Sequence, residues 1–419
     1  MRIVIASAGS TGDVAPYTGV AATLASRGHD VVVTAARDVA HLVTDVGLEV
    51  AELPLSAREQ LDGFTPAPGF RGRMAAMQWL ARQAKEQAEP TTRALLEILQ
   101  GADAVVLSPL MIVGMQVAEG LGIPSLGLYL QPMTPTRAYA PSALGLPSLG
   151  GPLNKAVGDW FLDTAAKPHW PLVQRLRAEL GLPPAPSPGR YRREAMRRGW
   201  PLLHGFSRHV VRHEPDWPAN VRTVGYCWPA TDPSWRPAPA LEAFLAAGPA
   251  PIVVSFGSAP FGDPAEARRT VVDAARRAGV RVVLQAGWAR LDEAEGSHDD
   301  LCVVGHVPHD WLFPRAAAVA HHCGAGTTAA GLRAGIPAIP VPVMLDQPFW
   351  ATRLYELGVA PRPIQAASLD ADRLAAAFTA VTTDPSYRDR AGALAELIAT
   401  EDGNGSVADV VEMLRSPVS

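Results

Sequence analysis

Two stretches of this chain carry the same rhythm, and a proline-dense segment separates them. Short apolar runs of strand length alternate with segments of helical spacing. "RIVIAS" leads, then residues 14–27 with Val14, Val20 and Leu24 at helical intervals, then "DVVVTA", "LEVAELP", "DAVVLS", a helix near 111–121 and "PSLGLYL". Strands that alternate with helices build βαβ units, and βαβ units build a parallel sheet. In "YCWPATDPSWRPAPALEAFLAAGPAP" (226–251) the proline density leaves room for one short helix only. The rhythm then restarts with "PIVVSFGS", a helix over 264–278, "VRVVLQ", "LCVVG" and "AAVAHH". A helix opening at about Thr327, "IPAIPVP", a helix near 348–357 and helices across 370–415 complete it. The expected fold class is α/β, with two doubly wound, Rossmann-like parallel-sheet domains facing each other across a cleft. The expected boundaries are 1–225, a linker over 226–245, 246–397, and a final helical segment over 398–419. Residues 70–100 and 153–180 break the rhythm and read as helical insertions over one end of the first sheet.

At 419 residues, 48% hydrophobic and 19% charged, the chain has the make-up of a soluble globular protein of two domains. A net charge of −4 gives no reason to expect a nucleic-acid partner, which favours strongly basic domains. Cys227, Cys302 and Cys323 lie far apart with no CxxC pair, which fits a reduced compartment. The leading apolar run is short and ends in "GSTGD" rather than a cleavage site, and no window has the length of a membrane span. The expected location is cytoplasmic, with no transmembrane segment. "RYRREAMRRGW" (190–200) reads either as a solvated helix face or as a surface for anionic lipid.

In open α/β sheets ligands bind beyond the carboxyl ends of the strands. Asp13, Ser258 and the loop "HHCGAGTT" all follow strands, so two facing domains would bring them into one cleft. In that loop two histidines end a strand and a Gly-rich turn opens a helix. Free backbone N–H groups and the helix dipole make such a turn a site for phosphate, and small residues at 324–326 allow close approach. A capped helix beside a satisfied histidine is the structural alternative. Neither GxGxxG nor GxxxxGK[ST] occurs, which counts against dinucleotide and P-loop binding. One strand later, Asp346 and Gln347 stand at a strand-to-helix junction, either as a helix cap or as partners for several hydroxyls. Asp13 is either an N-cap or a general base. "DAD" at 370–372 mimics a metal motif but reads as a helix start. Met74, Met77 and Trp79 suit a lipophilic acceptor pocket and suit ordinary core nearly as well.

The run "GHVPHDWLFPRAAAVAHHCGAGTTAAGLRAGIPAIPVPVMLDQPFWATRLYELGV" resembles the donor-binding signature of the UDP-glycosyltransferase superfamily, glycosyltransferase family 1, with the GT-B fold. "GSTGDVAP", "VSFGS" and "QAGW" are similar to bacterial antibiotic and sterol glycosyltransferases. The resemblance implies roles residue by residue. His322 and the turn Gly324, Ala325, Gly326 and Thr327 would hold the diphosphate, assisted by Ser258, with Ser10 and Thr11 nearby. Val307 would meet the nucleobase through its backbone, Asp346 and Gln347 the sugar hydroxyls. Asp13 matches the family's base position, and the segment 398–419 would cross back to the N-terminal domain. The activity implied is inverting transfer from a UDP- or dTDP-sugar to a hydroxyl of a small lipophilic acceptor, with no cofactor and no metal. A nucleotide-sugar epimerase and a catalytically silent nucleotide-sugar binder are the alternatives.

Overall fold

The computed structural model describes residues 1–59, 69–111, 113–257, 263–285 and 300–414. Twelve strands form two sheets. The first contains β1 (Arg2–Ala6), β2 (Asp30–Ala36), β3 (Glu49–Leu53), β4 (Ala104–Leu107), β5 (Ser125–Tyr129), β6 (Leu202–His204) and β7 (Val221–Thr223) in the order β3-β2-β1-β4-β5-β6-β7. The second contains β8 (Ile252–Ser255), β9 (Val282–Gln285), β10 (Leu301–Val304), β11 (Ala318–His321) and β12 (Ala338–Pro340) in the order β10-β9-β8-β11-β12. All pairings are parallel. Central strands are apolar on both faces because helices cover both: Ile3, Val4 and Ile5 of β1 and Ile252, Val253 and Val254 of β8 are fully buried.

Both sheets run outward from an inner strand and then reverse, β1 to β2 to β3 and then β4 in one, β8 to β9 to β10 and then β11 in the other. At such a reversal neighbouring connections leave to opposite faces, and a crevice opens at the carboxyl ends of the strands. The loops after β1, β8 and β11 stand at these two crevices. That strand order determines where the cleft lies.

The interruptions of the rhythm resolve into separate helices. Residues 70–100 correspond to one helix, Gly69–Ile98, and residues 153–180 to Gly151–Ala166, a short 3-10 turn and Trp170–Glu179. Pro168 and Pro171 near that turn remove N–H donors that a continuous helix would need. "DAD" is a helix start, with Asp370 at the N-cap accepting from the Arg373 amide at 2.8 Å. The basic helix Pro188–Arg197 spends Arg192 and Arg193 on Asp159 and Asp163, and Arg190 on Glu194.

The linker is gripped rather than loose. Trp228 accepts a bond from Asn404 through its carbonyl, and the Ala230 amide donates to Thr18 Oγ1 at 3.0 Å. Gly19 of the first helix, Thr11–Ser26, lets that carbonyl approach, since a Cβ there would overlap it. The helix Gly403–Met413 lies against the same first helix. Val407, Ala408 and Val411 join the apolar core of the first sheet, and Arg27 pairs with Asp409 and Glu412.

Candidate active site

A cleft of about 2170 Å³ runs between the two sheets. Ser10, Thr11 and Asp13 line it from the first half; His322, Gly324, Ala325, Gly326, Thr327, Asp346 and Gln347 line it from the second. Residues more than 300 positions apart in sequence thus share one solvent space.

Asp13 is the third residue of the helix that follows β1. Its Oδ2 accepts the Ser10 amide at 2.9 Å and the Ser10 hydroxyl at 3.0 Å, a carboxylate reaching back over the helix start. Capping and exposure to the cleft are therefore properties of one side chain. Gly9, at φ +110°, makes the room, because a Cβ there would lie 2.6 Å from Asp13 Oδ2. Burial pushes the Asp13 carboxyl above its ordinary value, and the two bonds from Ser10 pull it part of the way back.

Across the cleft, β11 ends at His321 and the chain turns through Cys323 at φ +65°. Among the described residues only Cys323 and Leu345 are non-glycines with positive φ, and they immediately precede two segments that line the cleft, Gly324–Thr327 and Asp346–Gln347. Such backbone persists where surrounding structure imposes it. Here the Cys323 amide donates to His321 Nδ1 at 3.1 Å. The helix then begins at Ala325. Its first bond back joins the Thr328 amide to the Gly324 carbonyl at 2.9 Å. The amides of Ala325, Gly326 and Thr327 precede that bond, at the positive end of the helix dipole. His322 stands beside them, buried, and burial pulls its imidazole down to about 4, so that it is neutral at pH 7. Gly257, after β8, is its neighbour: a Cβ there would come within 2.7 Å of the His322 ring. Ser258 lies outside the described residues.

Gln347 Oε1 accepts the amides of Val343 (2.8 Å) and Met344 (3.0 Å), while Asp346 Oδ2 accepts the indole N–H of Trp350 at 2.8 Å. Burial and the nearby charge of Asp13 raise the Asp346 carboxyl to about 6; the Trp350 bond acts the other way. Asp13 and Asp346 both line the cleft, near enough for the charge of one to act on the other. The Val307 side chain is in the core and its carbonyl accepts from Gln285 Nε2 at 2.8 Å; the cleft wall at this point is His306, Pro308 and His309. Of the long helix Gly69–Ile98, Gln78 and Ala84 line the cleft, Trp79 is half-buried outside that lining, and the side chains of Met74 and Met77 lie outside the described residues. Among the described residues, Met111, Met115, Met133, Leu149, Trp160 and Phe161 contribute to the apolar wall of the first half.

Sequence reasoning missed Gly257, Gln285 and Trp350. The i, i+4 spacing of Asp346 and Trp350 in "DQPFW" was a readable signal. The other two depend on contacts between segments distant in sequence.

Comparison with known proteins follows this geometry. Residues 3–140 match the glycosyltransferase family 28 N-terminal domain, and residues 269–414 match the erythromycin biosynthesis protein CIII-like C-terminal domain. The chain is 35% identical to an O-mycaminosyltylonolide 6-deoxyallosyltransferase of Streptomyces fradiae, over 98% of this chain and 97% of that protein. The chain belongs to the GT-B glycosyltransferases. It is also 31% identical to a sterol 3-beta-glucosyltransferase of Arabidopsis thaliana, covering 96% of this chain and 64% of that longer protein. Two crystal structures share the fold from end to end. The kitacinnamycin glycotransferase has a TM-score of 0.72 at 22% identity, with 99% of both chains covered. The glycosyltransferase VinC in complex with dTDP has a TM-score of 0.69 at 18% identity, also with 99% of both covered. Of the three activities left open by the sequence, sugar transfer is the one this family performs. Among the described residues, no helix of the transferase is long and apolar enough to cross a membrane.

Proposed function

We propose that the transferase moves a sugar from a uridine or deoxythymidine diphosphate donor to a hydroxyl of a small lipophilic natural product, by one in-line displacement with inversion. One observation carries this reading: a carboxylate from one half, Asp13, and an anion-binding helix start from the other, Gly324–Thr327 with His322, open into the same cleft. The acceptor oxygen attacks the anomeric carbon while its proton passes to Asp13. The bond from that carbon to the diphosphate oxygen breaks, and its electron pair leaves with the diphosphate. The amides of 325–327 and the single N–H of neutral His322 stabilise the charge gathered there, a preorganised arrangement in which a metal ion has no required part. Asp346 and Gln347 hold the sugar. The apolar wall from Met111 to Phe161 suits a lipophilic acceptor. The relatives' named acceptors, a tylonolide derivative and a sterol, agree with that wall, and bound dTDP in VinC agrees with the donor class.

The test is Asp13→Asn, which keeps the capping geometry. With EDTA present and a panel of phenolic, sterol and macrolide acceptors, turnover should fall by about 10²- to 10⁴-fold. Calorimetric affinity for UDP or dTDP should stay unchanged, and wild-type product should show an inverted anomeric centre by NMR. Equal turnover by the Asn variant overturns the base role; loss of wild-type turnover to EDTA overturns the metal-free scheme.

A further inference from the structure

We infer that Trp350 is a positioning residue for the donor sugar, acting through Asp346. This rests on the proposal that Asp346 and Gln347 hold the sugar. Trp350 itself is fully buried and touches no substrate. Its ring is set edge-on against Phe349, centroids 5.4 Å apart, and against Phe206, 6.3 Å apart, so the indole has little freedom to turn.

Asp346 occupies the N-cap position of the helix Gln347–Glu356, where an aspartate ordinarily accepts an amide of its own first turn. It makes no such bond. The chain enters at Leu345 with φ +53°, Asp346 takes helical angles, and its Oδ2 is held by the indole N–H one turn along. Helix stabilisation has been given up for a fixed carboxylate direction. Gln347 is set in a complementary way. Two loop amides occupy its Oε1, so the amide group cannot flip without losing both bonds, and Nε2 is the end left for a ligand.

Without the indole N–H the carboxylate is free to turn and cap its own helix, and it loses the bond that holds its proton affinity down.

The experiment uses the full chain as wild type, Trp350→Phe, Trp350→His, which keeps a ring N–H, and Asp346→Asn. Calorimetry compares UDP with UDP-glucose and with its 3-deoxy and 4-deoxy analogues, and kcat/KM is measured from pH 5 to 8. Expected for W350F are unchanged UDP affinity, UDP-glucose affinity reduced about five- to ten-fold, a narrowed preference for glucose over the deoxy donors, and an acid limb displaced to higher pH, with partial recovery in W350H. If W350F lowers UDP and UDP-glucose affinity equally, or neither, Trp350 is structural and the inference is overturned. If D346N selectively weakens UDP-glucose and W350F does not, the Trp350 role alone fails. If D346N leaves the ratio of UDP-glucose to UDP affinity untouched, the sugar-binding reading beneath it fails.

Discussion

His204, His309, His321 and His322 show what burial does to an imidazole when no carboxylate pairs with it. Desolvation holds the first three at about 3 and His322 at about 4, against 6.5 for a free side chain. Between those values and 6.5 the unfolded chain binds protons that the folded chain refuses, so stability rises with pH through that window and is lost as pH falls below 6.5. Each histidine costs on the order of 1–2 kcal/mol by pH 5. The melting temperature should therefore fall steeply between pH 7 and pH 5 in calorimetry; a flat profile would contradict neutral burial of these rings. At this scale Asp13 and His322 were legible, because a carboxylate or imidazole directly after a strand in an α/β chain faces the ligand side. Trp350 was missed although its i, i+4 spacing from Asp346 was readable, because the direction of one N–H is not specified by residue type.

Helix positions followed the strength of their boundary signals. The helix read over 264–278 is Pro264–Ala278, started by Asp263 and stopped by Gly279 in the left-handed region. The helix expected to open at about Thr327 begins two residues earlier, because Gly324 takes the N-cap conformation without offering a capping side chain. Covering of the linker was invisible in sequence. It depends on Gly19, which reads as an ordinary small residue inside a helix until the Trp228 carbonyl is seen above it. Gly19→Ala forces two backbones apart and should cost about 1–3 kcal/mol, the range for overpacking a well-filled contact. The check is a urea unfolding series, in which Gly12→Ala, on the exposed turn of the same helix with open space at its Cβ, serves as the control and should cost far less.

For the molecule as a whole, the two parallel sheets with flanking helices were readable from the repeated rhythm, and with them a cleft lined by both halves; the order of strands within each sheet was not. The assignment of Gly403–Met413 to the core of the first half came only from the resemblance to known transferases. Val407 and Val411 carry no mark of which sheet they will meet. Their burial predicts a lopsided response to damage. Val411→Asp should cost hydrogen-exchange protection in β1 and the helix Thr11–Ser26 while β8 to β12 remain protected; uniform loss would mean that the two halves unfold as one unit.

That contact also has a history in time. Arg27 and its partner Asp409 are 382 residues apart, and at roughly 5–20 residues per second a ribosome needs about 20–80 s to travel between them. Once β7 has been made, about half of that interval remains, during which the first sheet lacks the apolar cover of Gly403–Met413 while the second half is synthesised. Protein synthesis therefore leaves the first half the longest without its cover, and there a chaperone has the most to protect.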